Sequence, residues 1–253
     1  MTDQAGPNVE VVEGGRNFYG VALGILMLDT LLPRIPGDVG NAATWPWPVM
    51  FRVVRGARAK RAIRALRGDD LLELFLDGAR ELDATGVSVI TTSCGYCALI
   101  QRELQEAVSA TVVSSSLVQL SWLAGLLPEG GRIGILTMEA ASLTREHLAA
   151  AGAPADLPVA MVGMEETSGY THQLYLEGGR RLDVARMRQD VIEGARLLVE
   201  RHPDVSSIVF ECTNFPPYAK DVAEAVGRPV YDLTTAVGWA VSGHRRRLFE
   251  DRR

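Results

Sequence analysis

Three residue types that often carry enzyme chemistry are scarce in this chain of 253 residues, which has four histidines, three cysteines and two lysines. The histidines lie far apart in the sequence, and no His, Cys and Asp cluster has the spacing of a metal site. Three cysteines do not make a disulfide scaffold, which a chain of this size does not need. Lys60 lies in a basic helical stretch and Lys220 two turns into a helix, which argues against a pyridoxal Schiff base.

An excess of basic residues is also missing, because 26 Lys and Arg face 31 Asp and Glu and give a formal net charge of −5. We therefore expect no nucleic-acid partner. No apolar run reaches the roughly 18 residues of a membrane span, and the polar start of the chain has no basic-then-apolar signal. Residues 1–18 are interpreted as a flexible leader, and the sequence predicts a cytoplasmic protein that does not bind a membrane.

Short β-branched runs alternate with amphipathic helical stretches along most of the chain. This alternation predicts an α/β fold with parallel sheets covered by helices. Strands are expected at 19–28, 49–54, 87–92, 111–114, 132–137, 158–163, 206–211 and 229–232. Two connections, 29–48 and 164–180, show neither pattern and are interpreted as binding loops. Tyr170, His172 and Tyr175 in the second connection are expected to pack or to be disordered rather than to cover a substrate.

An internal repeat divides the chain into two similar halves. At an offset of 118 residues, the stretch from Val87 aligns without a gap with the stretch from Val205 and places Cys94 against Cys212. A second match, at an offset of 110, aligns residues 23–26 with 133–136. The repeat predicts two α/β domains of normal size: residues 19–117, completed by a C-terminal helix at 233–253, and residues 118–232.

Cys94 and Cys97 form a Cys-x-x-Cys motif, which a thiol-disulfide oxidoreductase also has. The repeat, however, pairs Cys94 with Cys212 and Cys97 with Phe215, so Cys97 is interpreted as a packing residue. Cys94 and Cys212 each end a strand, where open parallel sheets bind ligands. Two facing thiols, with pKa values lowered by helix amino ends, suit proton transfer on opposite faces of one carbon.

The stretches TTSCGYCALIQ (91–101) and ECTNFPPYA (211–219), together with LGILMLDT (23–30), resemble the aspartate/glutamate racemase superfamily. This superfamily includes glutamate, aspartate and hydantoin racemases, maleate cis-trans isomerases and arylmalonate decarboxylases. The resemblance implies two pseudo-symmetric doubly wound domains with the active site in the cleft between them, no cofactor and no metal. It further implies Cys94 and Cys212 as acid and base, and a homo-oligomer.

The function predicted on this basis is a cofactor-independent racemase or epimerase, an isomerase that acts on an amino acid or an amino-acid derivative. The presence of both cysteines argues against the decarboxylase branch, and Asn214 stands where glutamate racemases often have histidine. Two alternatives stay open. One is a maleate-type cis-trans isomerase with a cysteine nucleophile, and the other is a non-catalytic protein that binds a small carboxylate.

The substrate carboxylate is expected to bind at amides and side chains beside the two cysteines, namely Ser93, Gly95, Thr213 and Asn214.

The loop after the first strand supplies three more candidate residues. Asp29 and Thr30 follow that strand directly, and Asp29 is interpreted either as the partner of a substrate ammonium or as a helix cap or a partner for Arg34. Arg34 is assigned either to a second substrate carboxylate or to a surface ion pair. Glu211, directly before Cys212, is expected to be paired in the core, with a catalytic role as the alternative.

Overall fold

The computed structural model describes residues 14–15, 19–66 and 70–246. Apart from residues 14 and 15, the part of the predicted leader up to residue 18 lies outside the described residues. All eight predicted strands are present, and two of them have the predicted ends. The strands are β1 (Leu23–Leu28), β2 (Val49–Val54), β3 (Val89–Thr92), β4 (Thr111–Val113), β5 (Arg132–Thr137), β6 (Val159–Gly163), β7 (Val205–Phe210) and β8 (Val230–Tyr231).

The α-helices of the described residues lie between and after the strands. They are α1 (Ala59–Arg64), α2 (Leu71–Ala84), α3 (Gln101–Ala107), α4 (Leu120–Ala124), α5 (Arg145–Ala150), α6 (Tyr170–Leu176), α7 (Val184–Arg201), α8 (Ala219–Val226) and α9 (Leu233–His244).

The prediction of an irregular loop over 164–180 is wrong, because this segment contains a 3₁₀ turn, Met164–Glu166, and then α6. The buried carboxylate of Asp190 in α7 holds the start of α6. It accepts hydrogen bonds from the backbone N–H groups of Ser168 (3.1 Å) and Thr171 (2.9 Å). A helix of two turns is too short to show a clear period, so the sequence pattern did not reveal it.

Both sheets are parallel and share one strand order. The first sheet runs β2-β1-β3-β4 and the second β6-β5-β7-β8. In the first, Leu23 of β1 lies beside Val49 of β2 and Val89 of β3. In the second, β5 pairs in the same way with β6 and β7. The predicted α/β fold with two similar parallel-sheet halves is confirmed.

The central strands are apolar because helices cover both faces of each sheet, and every residue of β1 is buried. Equivalent glycines let a helix approach each central strand. A Cβ at Gly24 would lie 3.1 Å from Leu82 of α2, and a Cβ at Gly134 would lie 2.6 Å from Leu198 of α7. The same small-residue contact thus holds a helix against each of the two sheets.

Helix α9, at the end of the described chain, packs against the first sheet. Leu233, Val237 and Val241 belong to one buried cluster with Leu23 of β1 and Val89 of β3. Besides the first sheet, α9 contacts the segment that starts the second half. The predicted domain boundaries at 117, 118 and 232 stay predictions.

The start of α9 depends on a buried cap. The Asp232 carboxylate accepts hydrogen bonds from the backbone N–H groups of Thr234 (2.7 Å) and Thr235 (3.2 Å). Asp232→Ala should lower the free energy of unfolding by about 1–2 kcal/mol, because it removes this acceptor. Urea denaturation followed by circular dichroism measures the loss. Asp232→Asn keeps an acceptor and should cost less, so an equal loss in both variants would mean that the cap is not the cause.

Two kinds of feature are absent from the described residues. No helix in that part of the chain is long and apolar enough to cross a membrane. Within the same residues, no group of three or more His, Cys, Asp and Glu side chains is placed to hold a metal ion.

Candidate functional site

Cys94 and Cys212 occupy equivalent positions, each two residues beyond the carboxyl end of an inner strand. Cys94 follows β3 and Cys212 follows β7, and both are buried free thiols. The sulfur of each accepts a hydrogen bond from the backbone N–H two residues further on, from Tyr96 in the first half and Asn214 in the second. The repeat therefore places one thiol from each half at the same edge of its sheet.

A single pocket between the two halves is lined by both cysteines. Beside it the halves are joined directly, since the Thr213 hydroxyl donates a hydrogen bond to the carbonyl oxygen of Ser93 (2.9 Å). The lining residues are Leu28, Thr30, Leu32, Arg34, Ala59, Ile63, Ser93, Cys94, Gly95, Tyr96, Met138, Tyr175, Glu211, Cys212, Thr213 and Asn214.

Eight of the nine predicted site residues line this pocket, and Asp29 does not. The Asp29 carboxylate instead accepts a hydrogen bond from the backbone N–H of Gly56 (2.9 Å) and lies 3.7 Å from Arg55. Asp29 borders an outer pocket together with Lys60 and Arg180. The structure thus gives Asp29 a role in holding its own loop and does not bring it to the thiols.

Ser93 lines the pocket, but its polar groups hold the strand end. Its backbone N–H donates to the carbonyl oxygen of Leu26 (2.9 Å), and its hydroxyl oxygen accepts from the backbone N–H of Leu28 (2.8 Å). The Asn214 backbone N–H is engaged as well, by the sulfur of Cys212. In the free pocket these two amides are therefore already engaged, and the expectation that they bind a substrate carboxylate stays a prediction.

Arg34 is fixed along one side of the pocket and is not part of a surface ion pair. Its guanidinium donates to Asp38 (3.1 Å) and to the Thr30 hydroxyl (3.0 Å), and the side chains of Arg34 and Asp38 are 14% and 3% exposed. Asp38 also accepts from the side-chain amide of Asn214 (2.5 Å). A chain of polar contacts thus runs from Thr30 to the residue two positions after Cys212.

Glu211 brings a third titratable side chain to the two thiols. It is fully buried and lines the pocket. One carboxylate oxygen, Oε2, accepts from the Thr137 hydroxyl (2.7 Å), and the backbone N–H of Met138 also donates to the carboxylate. Burial raises the pKa of Glu211 to about 7. The alternative interpretation of Glu211, as a residue of the site, agrees with this placement better than the core interpretation.

The expectation that the thiol pKa values are lowered is wrong for the free pocket. The neighbouring Cys97 thiol and then burial raise the pKa of Cys94 well above its usual range. Burial raises the pKa of Cys212, the charge of Glu211 adds to the rise, and Arg34 opposes it. Both thiols are therefore protonated at neutral pH until something else changes their surroundings.

The apolar and aromatic walls of the pocket were not predicted. Ala59 and Ile63 come from α1, a helix interpreted as a solvated basic face, and Met138 follows β5. Tyr96 and Tyr175 come from segments that the sequence assigned to packing or to a loop. Among these wall residues, only Leu28 and Met138 could have been predicted. They lie at the ends of β1 and β5, which the repeat places at the same sheet edges as the cysteines.

Solved structures with this fold include a glutamate racemase from Bacillus anthracis, with a TM-score of 0.58 and 16% identity over 88% of this chain and 81% of that one. Another is unliganded arylmalonate decarboxylase, with a TM-score of 0.53 and 17% identity over 88% and 92% of the two chains. No protein-family model matches the chain. The chain therefore has the fold of the aspartate/glutamate racemase superfamily, as the resemblance implied.

Curated relatives identify the family to which the chain belongs. The chain is 31% identical over 232 residues to the dimethylsulfoniopropionate lyase of Durusdinium sp. clade D, which covers 90% of this chain and 76% of the relative. It is 30% identical over 222 residues to dimethylsulfoniopropionate lyase 6 of Emiliania huxleyi, of which it spans 57%. The chain belongs to the dimethylsulfoniopropionate lyase family.

The predicted racemase function, and with it the assignment to the isomerases, is wrong, because the curated relatives that match most of the chain are named lyases. The alternatives of a maleate-type isomerase and of a non-catalytic carboxylate-binding protein are overturned by the same finding. Racemases share only the fold with this chain, at identities below 20%. The residues of the resemblance indicated the correct fold and the wrong reaction.

Proposed function

We propose that this protein is a lyase that splits dimethylsulfoniopropionate into dimethyl sulfide and acrylate. One observation carries the proposal: in a chain of the lyase family, two buried thiols and Arg34 line a single pocket between the halves. The substrate is a zwitterion that has a carboxylate at one end and a sulfonium at the other, separated by two methylenes. The thiols and Arg34 supply what its elimination needs, a proton acceptor and a carboxylate anchor.

The reaction is a β-elimination. A base removes a proton from the carbon next to the carboxylate, and the electron pair of that C–H bond becomes the second bond of the alkene. The bond between the β-carbon and sulfur breaks, and its electron pair leaves on sulfur. The products are acrylate, neutral dimethyl sulfide and one proton, which the base holds.

Arg34 is assigned to the substrate carboxylate. A guanidinium has five N–H donors in a planar fork that matches a carboxylate, and the contacts to Asp38 and Thr30 occupy only part of them. Hydrogen bonds from Arg34 stabilise the charge that moves onto the carboxylate as the α-proton leaves. With its carboxylate bound to Arg34, the substrate would have its α-carbon beside the thiol whose pKa Arg34 lowers, which is Cys212.

That thiol is Cys212, which we assign as the base. Of the two cysteines, Cys212 is the one whose pKa Arg34 lowers, although Asp38, the ion-pair partner of Arg34, raises it by more. The Asn214 backbone N–H donates to the Cys212 sulfur and favours a thiolate there. An elimination needs a proton acceptor on one face of the carbon only, so Cys94 is assigned as a neutral thiol that donates a hydrogen bond from the opposite side.

The proposal is tested with the purified, reduced protein and dimethylsulfoniopropionate. Proton NMR should show acrylate, and gas chromatography of the headspace should show dimethyl sulfide in equal amount. The spontaneous reaction is measured without protein at the same pH. Absence of acrylate above that background would contradict the proposal, and dimethyl sulfide without acrylate would show that the bond is broken by another reaction.

Two expectations from the sequence are kept beside the proposed reaction. The cytoplasmic location and the homo-oligomeric state stay predictions. A small-molecule carboxylate as the substrate is part of the proposed reaction itself.

A further inference from the structure

Glu211 holds a buried carboxylate whose charge is not balanced by a cation. Oε2 accepts a hydrogen bond from Thr137, but Oε1 is buried and has no hydrogen-bond partner among the described residues. No ion pair of Glu211 with Arg, Lys or His is found within that part of the chain either. Buried carboxylates are normally paired, because taking an unpaired charge out of water is costly.

Because the pKa of Glu211 is about 7, about half of it is ionised at neutral pH. The other titratable side chains that act on or near Glu211 do not supply a positive charge to balance the ionised form. Cys94, Cys212 and Tyr96 each have a pKa raised first by a neighbouring thiol or by burial and then by the charge of Glu211. All three are neutral near pH 7, and each would become negative on ionising. The free pocket therefore keeps a carboxylate that lacks a counter-ion.

The position of this carboxylate is fixed by both halves. Thr137, the last residue of β5 in the second half, donates a hydrogen bond to Glu211. The Tyr96 hydroxyl of the first half lies 2.9 Å from the Thr137 hydroxyl. Gly95 has no side chain, and a Cβ there would overlap the Glu211 carboxylate and lie 2.7 Å from its Cδ atom. The chain thus makes room for Glu211 in the pocket and holds it in place.

We propose that Glu211 is the counter-ion for the cationic group of the substrate and selects a methylated onium group, here the dimethylsulfonium of the proposed substrate. This inference rests on the proposed function for the identity of the ligand. Both charged residues of the pocket affect the pKa of Cys212, which Glu211 raises and Arg34 lowers. A zwitterion with its carboxylate at Arg34 and its cation at Glu211 would place the methylenes between them beside Cys212.

The surroundings of Glu211 suit a sulfonium better than an ammonium. A sulfonium has no N–H or O–H to donate, so it gains from a nearby negative charge without needing several acceptors. Ile63 and Met138 supply apolar walls for its methyl groups, and Tyr96 supplies an aromatic ring. A primary ammonium would need partners for three donors, and the Thr137 hydroxyl is already bound to Glu211.

The same arrangement lets the bound substrate favour the thiolate form of Cys212, the proposed base. A cation beside Glu211 offsets its negative charge, which adds to the effect of burial in raising the pKa of the Cys94 and Cys212 thiols. Substrate binding therefore favours the thiolate of Cys212, which is the form that accepts the α-proton.

Binding of two unreactive ligands tests this without relying on turnover. The probes are 3-(trimethylammonio)propionate, a methylated onium carboxylate, and 4,4-dimethylpentanoate, its carbon isostere, which has the same carboxylate and an uncharged tert-butyl group. Isothermal titration should show that the protein binds the onium compound at least about tenfold more tightly. Glu211→Gln keeps the size of the side chain and removes the charge. It should abolish this preference, while the affinity for 4,4-dimethylpentanoate stays within about twofold.

A matched control and a second variant make the result decisive. Glu166→Gln removes a carboxylate that pairs with Arg201 and does not line the pocket, and it should keep the preference. If Glu211→Gln does not fold, Thr137→Val removes the hydroxyl that holds Glu211 and should reduce the preference in the same direction. A wild-type protein that does not prefer the onium compound overturns the proposal, as does an equal loss for both ligands in Glu211→Gln.

The outcome is separate from that of the lyase assay. A protein that forms no acrylate but loses its onium preference in Glu211→Gln has a counter-ion at Glu211 and a different reaction. An active lyase whose KM for dimethylsulfoniopropionate is the same in wild type and Glu211→Gln would overturn the counter-ion and leave the lyase intact.

Discussion

Replacing Cys212 by serine should lower kcat/KM for acrylate formation by about 10²–10⁴-fold, because the proposed base is lost. A serine hydroxyl has nearly the same size as the thiol but gives up its proton far less readily. The side chain at this position is buried and accepts the Asn214 backbone N–H, so the substitution changes acidity more than shape. Initial rates of dimethyl sulfide release, measured with reduced protein, give the ratio.

Two further cysteine variants decide what the loss means. Cys94→Ser should lower the rate less than Cys212→Ser does, because a serine hydroxyl still donates the hydrogen bond that is assigned to Cys94. Cys97→Ser should keep most of the activity, since Cys97 is fully buried and does not line the pocket. If Cys97→Ser were as damaging as Cys94→Ser under reducing conditions, the Cys94–Cys97 pair would be the functional one and the assignment of Cys212 as base would be wrong.

Gly95→Ala should nearly abolish activity, although it adds only one methyl group. The new Cβ would overlap both the backbone carbonyl oxygen and the carboxylate of Glu211, so the two strand ends must move apart. Gly95 follows Cys94 and Glu211 precedes Cys212, which means that this movement separates the two thiols. A displacement of about 1 Å in a catalytic group costs on the order of 100-fold in rate. Overpacking should also lower the free energy of unfolding by about 1–3 kcal/mol.

The control for Gly95→Ala is the same substitution where nothing obstructs it. A Cβ at Gly238, inside α9, would have no other atom within 4 Å. Gly238→Ala should therefore leave activity unchanged and raise the free energy of unfolding by about 0.5–1 kcal/mol, the usual gain in a helix. Activity in Gly95→Ala close to that of Gly238→Ala would show that the contact between Gly95 and Glu211 does not set the thiol geometry.

The fold was predictable because its signals are periodic and repeated. The β-branched runs located all eight strands, and the offset of 118 residues placed Cys94 and Cys212 in equivalent positions. Parallel strands covered on both faces give continuous apolar runs, which are easy to recognise. Helix α6 has only seven residues and depends on Asp190 of a later helix, so no local sequence pattern predicted it.

The site was predictable where it depends on strand ends and was not where it depends on how segments pack. Thr30, Arg34 and Thr213 lie next to strand ends or within one loop, and the topology brings them to the pocket. Ile63 and Tyr175 reach the same pocket from helices whose position is set by tertiary contacts. A single sequence does not show those contacts.

The reaction was missed for a chemical reason. Racemisation and β-elimination share their first step, the removal of a proton next to a carboxylate, so both need a thiol base and a carboxylate anchor. What separates them is whether the next carbon carries a leaving group. The pair of cysteines carries no information on that point, whereas the buried, uncompensated Glu211 does.

Helix α9 also determines how a nascent chain can fold. Leu233, Val237 and Val241 complete the buried cluster around β1 and β3, which the ribosome makes about 140 to 220 residues earlier. One face of the first sheet therefore waits uncovered while the whole second half is synthesised. The second half, whose strands and helices are contiguous in the chain, is able to close first, and the N-terminal half becomes stable last.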